Sequence, residues 1–203
     1  MVDRRFLHEH LADSRLPQVL DAKIAICGCG AIGSNLAESL ARRGFKNLWL
    51  VDRDRIELHN ISTQVWFEQD VGRFKAEVLA VRLYYISKAN AVPIIKNIRD
   101  QKMLKKLLPP DINLVVDSFD NRAARSTTIG LCPNVLHVGL SAYDTSEVAW
   151  DENYTLPPDV ELEDPCNYPL SRTLIEFTVA SAASAILKFL LNGVKVNREV
   201  TGV

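Results

Sequence analysis

The sequence predicts an α/β fold in which a doubly wound, mostly parallel sheet carries helices on both faces. Three observations predict it. Between Lys23 and Asp54 the chain reads KIAICGCGAIGSNLAESLARRGFKNLWLVDRD: an apolar run, a glycine-rich turn, a helical pattern, and a second apolar run that ends in acid. Beyond it, short apolar runs keep alternating with helical patterns. The length of 203 residues suits one domain, 1–203, with a sizeable core.

Taken in order, residues 3–20 read as a short amphipathic helix ahead of the first strand. Arg4 and Arg5 belong to it, and their plain reading is a solvated face. Lys23 to Cys27 is a buried strand. Gly28, Gly30 and Gly33 then form G-x-G-x-x-G, and a helix runs from Ser34 to Arg43, closed by Gly44. A second strand, Leu48 to Val51, leads into Asp52. This is the Rossmann-like βαβ nucleotide fingerprint. The glycines allow a sharp turn and close approach of a phosphate. The helix N-terminus offers free N–H groups and partial positive charge. Asp52, about 20 residues on, is where an acid can bond a ribose hydroxyl. The fingerprint itself leaves NAD, FAD, S-adenosylmethionine and ATP open.

Asp54 to Asp70 is polar and irregular, and Asn60 and Gln64 stand four apart, so both amides can reach one site. A helix is expected over 72–86, with Lys75 in its first turn. A lysine there opposes the helix dipole, which suits a surface position or a cation aimed at a bound phosphate. Val92 to Ile95 reads as a strand, and Pro93 marks it as an edge or a strand start. Asp100 to Leu108 is a short basic helix stopped by Pro109-Pro110.

Ile112 to Val116 reads as a buried strand that ends in D-S-F-D-N, residues 117–121. Carboxylates just past the carboxyl end of a parallel strand lie where open α/β sheets bind ligands. One of them could hold Mg²⁺ beside a phosphate; equally, Asp120 or Asn121 could cap the helix through Thr128. Val135 to Leu140 is a strand, with a return strand from Glu147 to Trp150. Residues 151–170 form a long acidic, proline-containing loop of the kind that is often functional. It contains Cys166. Ser171 opens a long helix of small and apolar residues, stopped at Asn192-Gly193. Its Ala/Ser face suits close packing on the sheet or on a partner subunit.

Composition excludes other classes. With 24 basic and 25 acidic residues, no electrostatic preference for nucleic acid or membrane follows. No apolar run reaches the ~18 residues a membrane span needs. The charged N-terminus lacks a secretory core, so the expected location is cytoplasmic. The four cysteines, Cys27, Cys29, Cys132 and Cys166, contain no C-x-x-C pair, so no zinc is expected. Cys27, Cys29 and Cys132 read as packing residues.

The glycine turn with Asp52, then Asp54 and Asn60 with Gln64, Lys75 after D-V-G-R-F, and D-S-F-D-N form a joint pattern. In this pattern the chain, from about Arg4 to Leu191, resembles the ATP-dependent adenylyltransferases that activate ubiquitin-like and sulfur-carrier proteins. These include the thiamine and molybdopterin sulfur-carrier activators and the ubiquitin-activating enzymes. The resemblance implies that Gly28, Gly30 and Gly33 shape the phosphate loop and that Asp52 binds the ribose. It implies that Asn60, Gln64 and Lys75 bind ATP phosphates, with Lys75 at the α-phosphate. Asp120 would hold Mg²⁺, and Arg4 or Arg5 would be lent to the neighbouring site of a homodimer. The implied substrate is the C-terminal carboxylate of a small protein ending in Gly-Gly, and Cys166 stands where thioester-forming members carry their cysteine. Thr63 departs from the family's arginine before the glutamine, removing one phosphate contact. Two alternatives stay open: a non-catalytic nucleotide-binding partner subunit, and an NAD-dependent oxidoreductase.

Overall fold

The computed structural model describes residues 3–141, 144–158 and 170–201. Among them, seven strands form one sheet in the order β3-β2-β1-β4-β5-β6-β7. They are β1 Lys23–Cys27, β2 Asn47–Val51, β3 Asn90–Ile94, β4 Leu114–Asp117, β5 Val135–Ser141, β6 Thr145–Trp150 and β7 Arg198–Thr201. Strands β1 to β5 pair in parallel, and β6 and β7 add on antiparallel. The helices are α1 Leu7–Ala12, α2 Ala31–Arg43, α3 Lys75–Ser87, α4 Gln101–Leu107, α5 Arg122–Ser126 and α6 Arg172–Asn192.

Alternation along the strands divides the core in two. Ile24, Ile26, Leu48, Leu50, Leu114 and Val116 pack beneath α2, α3 and α6. Ala25, Cys27, Val51, Val115 and Val135 pack on the opposite face with Leu104 of α4. Strands covered on both faces read as continuous apolar runs, which is why β1 and β4 are legible as such. Fully buried Leu36 and Leu40 hold α2 to the sheet; each contributes about 1.5–3 kcal/mol by leaving water. Pro93 lies in β3, the edge strand expected from it.

The strand order reverses direction between β1 and β4. The loops leaving those two strands therefore open side by side at the carboxyl edge, the place where such sheets bind ligands. That position is the fold's contribution to the site.

Some boundaries differ from expectation. The helix α2 starts at Ala31, three residues earlier than predicted, because the last glycine of the turn is already helical. The helix α3 starts at Lys75 instead of Gly72, because Gly72 has φ +88° and cannot join a right-handed helix. The N-terminal segment is a 3₁₀ turn at Arg4–Phe6, α1, and a second turn at Leu16–Gln18. Strand β7 is not predicted from sequence at all. Finally, α6 corrects the expectation that no stretch is apolar enough to span a membrane: 18 of its residues average a hydropathy of 1.8. In the fold Leu174, Ile175, Ala182, Ala183 and Ile186 are buried, and α6 packs on α2 and β6. Its small-residue face is used on the sheet.

Candidate nucleotide-binding site

The glycine turn is shaped by β4's exit loop. Gly28 has φ +95°, and a Cβ there would lie 2.6 Å from the Ser118 carbonyl oxygen. A Cβ on Gly33 would lie 1.8 Å from the carbonyl oxygen of Gly28. Both positions need glycine for close backbone approach. Ser118 Oγ reaches the carbonyl oxygens of Gly28 and Cys27 at 2.9 and 3.1 Å, and Ser118 N–H donates to Cys27 at 2.8 Å. Sequence reasoning missed this brace, although Ser118 lies within D-S-F-D-N. Gly30 differs: a Cβ there would meet nothing within 4 Å. Gly30 is the N-cap of α2 and supplies no side chain to cap its first turn.

Asp52 ties the turn to the next loop. Its carboxylate accepts from Cys29 N–H at 2.6 Å and from Asp54 N–H at 2.7 Å. The carbonyl of Asp54 in turn accepts from Lys75 N–H at 2.9 Å. Burial pushes the Asp52 carboxyl above its usual range, opposed by the Asp54 N–H, the Lys75 charge and the Cys29 N–H. Lys75 is itself buried as the first residue of α3. Among the described residues it makes no ion pair within 4 Å. A buried cation on the positive end of a helix is unfavourable alone and complements an anion.

Asn60 and Gln64 are less committed to this space. Asn60 is buried, and its amide oxygen closes a turn by accepting from Glu57 N–H at 3.0 Å. Gln64 Oε1 accepts from Trp66 Nε1 at 2.6 Å, and the residue lines a cavity of about 500 Å³ with Asn35, Arg42, Arg82 and Arg172. None of the three turn glycines lines that cavity. The Thr63 carbonyl accepts from Asn35 Nδ2 at 2.9 Å and from Arg172 Nη1 at 3.2 Å.

The two readings of D-S-F-D-N separate onto neighbouring residues. Asn121 caps α5, accepting from Ala124 N–H at 2.9 Å. Asp120 remains exposed, its carboxylate accepting from Asn121 Nδ2 at 3.1 Å. An exposed carboxylate with spare lone pairs beside the glycine turn fits Mg²⁺, which keeps several waters and takes one or two carboxylates.

Arg4 and Arg5 are not brought to the turn. Their segment docks at the far end of α2, where Glu9 pairs with Arg43 at 3.5 Å and His10 Nε2 lies 3.4 Å from the Arg43 carbonyl. The 13 residues of α2 separate that end from the turn by roughly 20 Å. Arg5 pairs with Asp3 at 2.6 Å. Cys27 and Cys29 are buried, and burial pushes both thiols up. Cys132 is half-buried and is also raised by burial. Cys166 lies outside the described residues.

Among known proteins, the NEDD8-activating enzyme E1 catalytic subunit of Arabidopsis thaliana is 35% identical over 111 residues, 54% of this chain and 24% of that protein. The tRNA threonylcarbamoyladenosine dehydratase of Haemophilus influenzae is 27% identical over 178 residues, 85% of this chain and 62% of that protein. A crystal structure of E. coli MccB with ATP shares the fold at a TM-score of 0.75 and 20% identity, covering 96% of this chain and 65% of that one. E. coli TcdA in complex with ATP has a TM-score of 0.64 at 23% identity, covering 72% and 65%. The chain thus spans less than two thirds of each of these relatives. The model of the ThiF family matches residues 3–142, a stretch that runs from the N-terminal turn through β5 and contains every site residue named above except Arg172 and Cys166. On that match the chain belongs to the ThiF family.

Proposed function

We propose that this chain adenylates a carboxylate, using ATP with Mg²⁺, and that the carboxylate is the C-terminal glycine of a small ubiquitin-like or sulfur-carrier protein ending in Gly-Gly. The observation that carries the reading is Lys75: a buried lysine without an ion pair among the described residues, its backbone N–H tied to the glycine turn through Asp54 and Asp52 and its charge acting on Asp52 and Cys29. Structures of MccB and TcdA, which share this fold, hold ATP.

In this reading the turn around Gly30 and the N-terminus of α2 cradle the phosphates, and Asp52 orients the ribose. A carboxylate oxygen attacks the α-phosphorus, the bond from that phosphorus to the bridging oxygen breaks, and pyrophosphate leaves with its electron pair. Lys75 stabilises charge that builds on the α-phosphate oxygens. Asp120 would hold the Mg²⁺, which neutralises phosphate charge when bound. Asn60 and Gln64 would reach the phosphates after a side-chain rearrangement, since their amide oxygens are engaged elsewhere in this structure.

Two further elements belong to the proposal. Arg4 and Arg5 lie roughly 20 Å from their own turn, so they serve only a neighbouring site. An exposed apolar strip of Phe67, Val81 and Tyr85 supports the homodimer that this requires. Cys166 would accept the activated carrier as a thioester: its thiolate attacks the acyl carbon, the bond from that carbon to the adenylate oxygen breaks, and AMP leaves.

A second reading has its own support. The tRNA threonylcarbamoyladenosine dehydratase of H. influenzae matches 85% of the chain, more than the NEDD8-activating relative does. In that reading the activated carboxylate sits on a modified tRNA nucleoside. ATP–pyrophosphate exchange separates the readings. Exchange that depends on a carrier ending in Gly-Gly supports the first, and exchange that depends on carboxylate-bearing tRNA supports the second. ATP binding without exchange on either supports a non-catalytic subunit, and tight NADH binding without ATP binding overturns all three.

A further inference from the structure

A buried polar network lies behind the site, on the sheet face opposite α2. His137, in the middle of β5, is 1% exposed. Its Nδ1 lies 2.8 Å from Asp117 Oδ2, and its Nε2 lies 2.8 Å from Asp151 Oδ1. Asp117 is the last residue of β4, fully buried, and in register with His137 across the β4–β5 pair. Its second oxygen accepts from Phe119 N–H at 3.1 Å. Asp151 follows β6 directly, and its second oxygen accepts from Gly130 N–H at 2.9 Å. The Tyr154 ring stacks on His137 at 3.7 Å between centroids and 6° between planes. Arg125 closes the group, with Nη1 3.4 Å from both Asp117 Oδ2 and the Tyr154 hydroxyl, and Nη2 donating to the Val138 carbonyl at 2.9 Å.

Two carboxylates, a histidine and an arginine in a strand core are a poor route to stability, because an apolar set of similar volume holds such a place as well or better. What the network does supply is a fixed path. It runs from the chain leaving β6, through both ring nitrogens of His137, to Asp117, and through Asp117 to the Phe119 N–H. Phe119 immediately precedes Asp120, and Ser118 braces the carbonyls of Cys27 and Gly28. Arg125 spans the same two loops at 3.4 Å to each, whereas His137 makes the short 2.8 Å bonds to a carboxylate on either side.

We infer that His137 is a positioning residue: it clamps Asp117, and through Asp117 fixes the 118–120 loop that presents Asp120 and braces the glycine turn. The functional half of this inference rests on the role proposed above for Asp120; the positional half does not. A metal site loosens when the partner that orients its ligand is removed, typically by about 10- to 100-fold in affinity or activity.

The test compares His137→Leu, which removes both bonds at similar bulk, with His137→Asn, whose amide can occupy the place of Nδ1 and donate to Asp117. Native-state hydrogen exchange of residues 117–122 reads position directly. His137→Leu should speed exchange at the Phe119 N–H while β1 stays protected, and His137→Asn should restore protection. Unchanged protection in folded His137→Leu overturns the inference, as does a loss spread evenly over β1, β2 and β4, which marks general destabilisation. Where the wild type supports ATP–pyrophosphate exchange, His137→Leu should raise the Mg²⁺ needed for half-maximal rate about ten-fold, and His137→Asn should recover most of it. Faster exchange at Phe119 with an unmoved Mg²⁺ requirement overturns the link to Asp120. A wild type that exchanges no pyrophosphate, or an active Asp120→Ala, overturns the proposed function alone, and the hydrogen-exchange arm still decides the clamp.

Discussion

Asp52 Oδ2 lies 2.6 Å from the backbone nitrogen of Cys29, a contact between residues 23 apart that joins the end of β2 to the glycine turn after β1. The carboxylate's other oxygen holds Asp54 N–H at 2.7 Å, and Asp54 holds Lys75. Three loops of the site therefore hang on one buried carboxylate.

Burial raises the folded-state pKa of Asp52, so protonation is favoured in the folded chain. The sign follows from linkage. The Asp52 contribution to stability is full below the unfolded value of 3.8 and is lost as pH rises through the raised folded value. Asp52→Asn removes that titration. The stability of wild type minus that of Asp52→Asn should fall from pH 4 upward and then level off, as measured by urea unfolding at a series of pH values. A difference that grows with pH would mean that the two N–H bonds and the Lys75 charge stabilise the carboxylate more than burial penalises it. Asp52→Asn should also weaken ATP binding, because an amide can accept from only one of the two N–H groups.

Lys75→Ala should leave the fold intact and is read by two measurements with opposite signs. The melting temperature should hold or rise, since removing a cation from the first turn of a helix relieves about 0.3–1 kcal/mol. Adenylation should fall by about 10²–10³, the usual effect of losing one group that stabilises transition-state charge. A folded, fully active variant would move the phosphate contact to another residue.

Gly33 and Gly30 of the turn should behave differently. Gly33→Ala places a Cβ 1.8 Å from the carbonyl oxygen of Gly28, and the backbone must shift. A destabilisation of about 1–3 kcal/mol or more is expected. Gly30→Ala meets open space. It should melt within about 0.5 kcal/mol of wild type yet bind ATP more weakly. Equal loss of stability in both would show that Gly30 is structural and that no phosphate comes near it.

Thiol labelling should separate the cysteines. Burial holds the Cys27 and Cys29 thiols protonated and out of reach, and Cys132 is raised more mildly. Alkylation in native buffer should leave Cys27 and Cys29 unmodified until denaturant is added, as read by peptide mass spectrometry. Under the proposed function Cys166 is labelled first, and prior incubation with ATP and the carrier protects it. Rapid labelling of Cys29 would mean that the glycine turn opens in solution.

Much of the fold was legible because its demands are local. Gly28 and Gly33 stand where only a missing side chain fits, and β1 and β4 carry the apolar runs Ile24–Cys27 and Leu114–Val116 because both faces are covered. The site residues drawn together by short loops, Asp52, Asp54 and Lys75, were legible for the same reason. Contacts made across the sheet were not. His137 meets Asp117 and Asp151 only once β4, β5 and β6 are aligned, and nothing in L-H-V-G-L announces it. Ser118 braces Cys27 from 91 residues away. Strand β7 has four residues and one covered side, too little for a period to declare itself. Asn60 and Gln64 stand four apart in sequence, but their amide bonds to Glu57 and Trp66 depend on turn geometry that spacing does not encode.

The central claim is that a carboxylate oxygen attacks the α-phosphorus of ATP beside Lys75. It is tested most directly by labelling the C-terminal carboxylate of a Gly-Gly carrier with heavy oxygen, incubating it with ATP, Mg²⁺ and this protein, and releasing the product to a thiol. The account predicts one heavy oxygen in the AMP and none in the pyrophosphate. Unlabelled AMP, or heavy oxygen recovered in released phosphate, would contradict it.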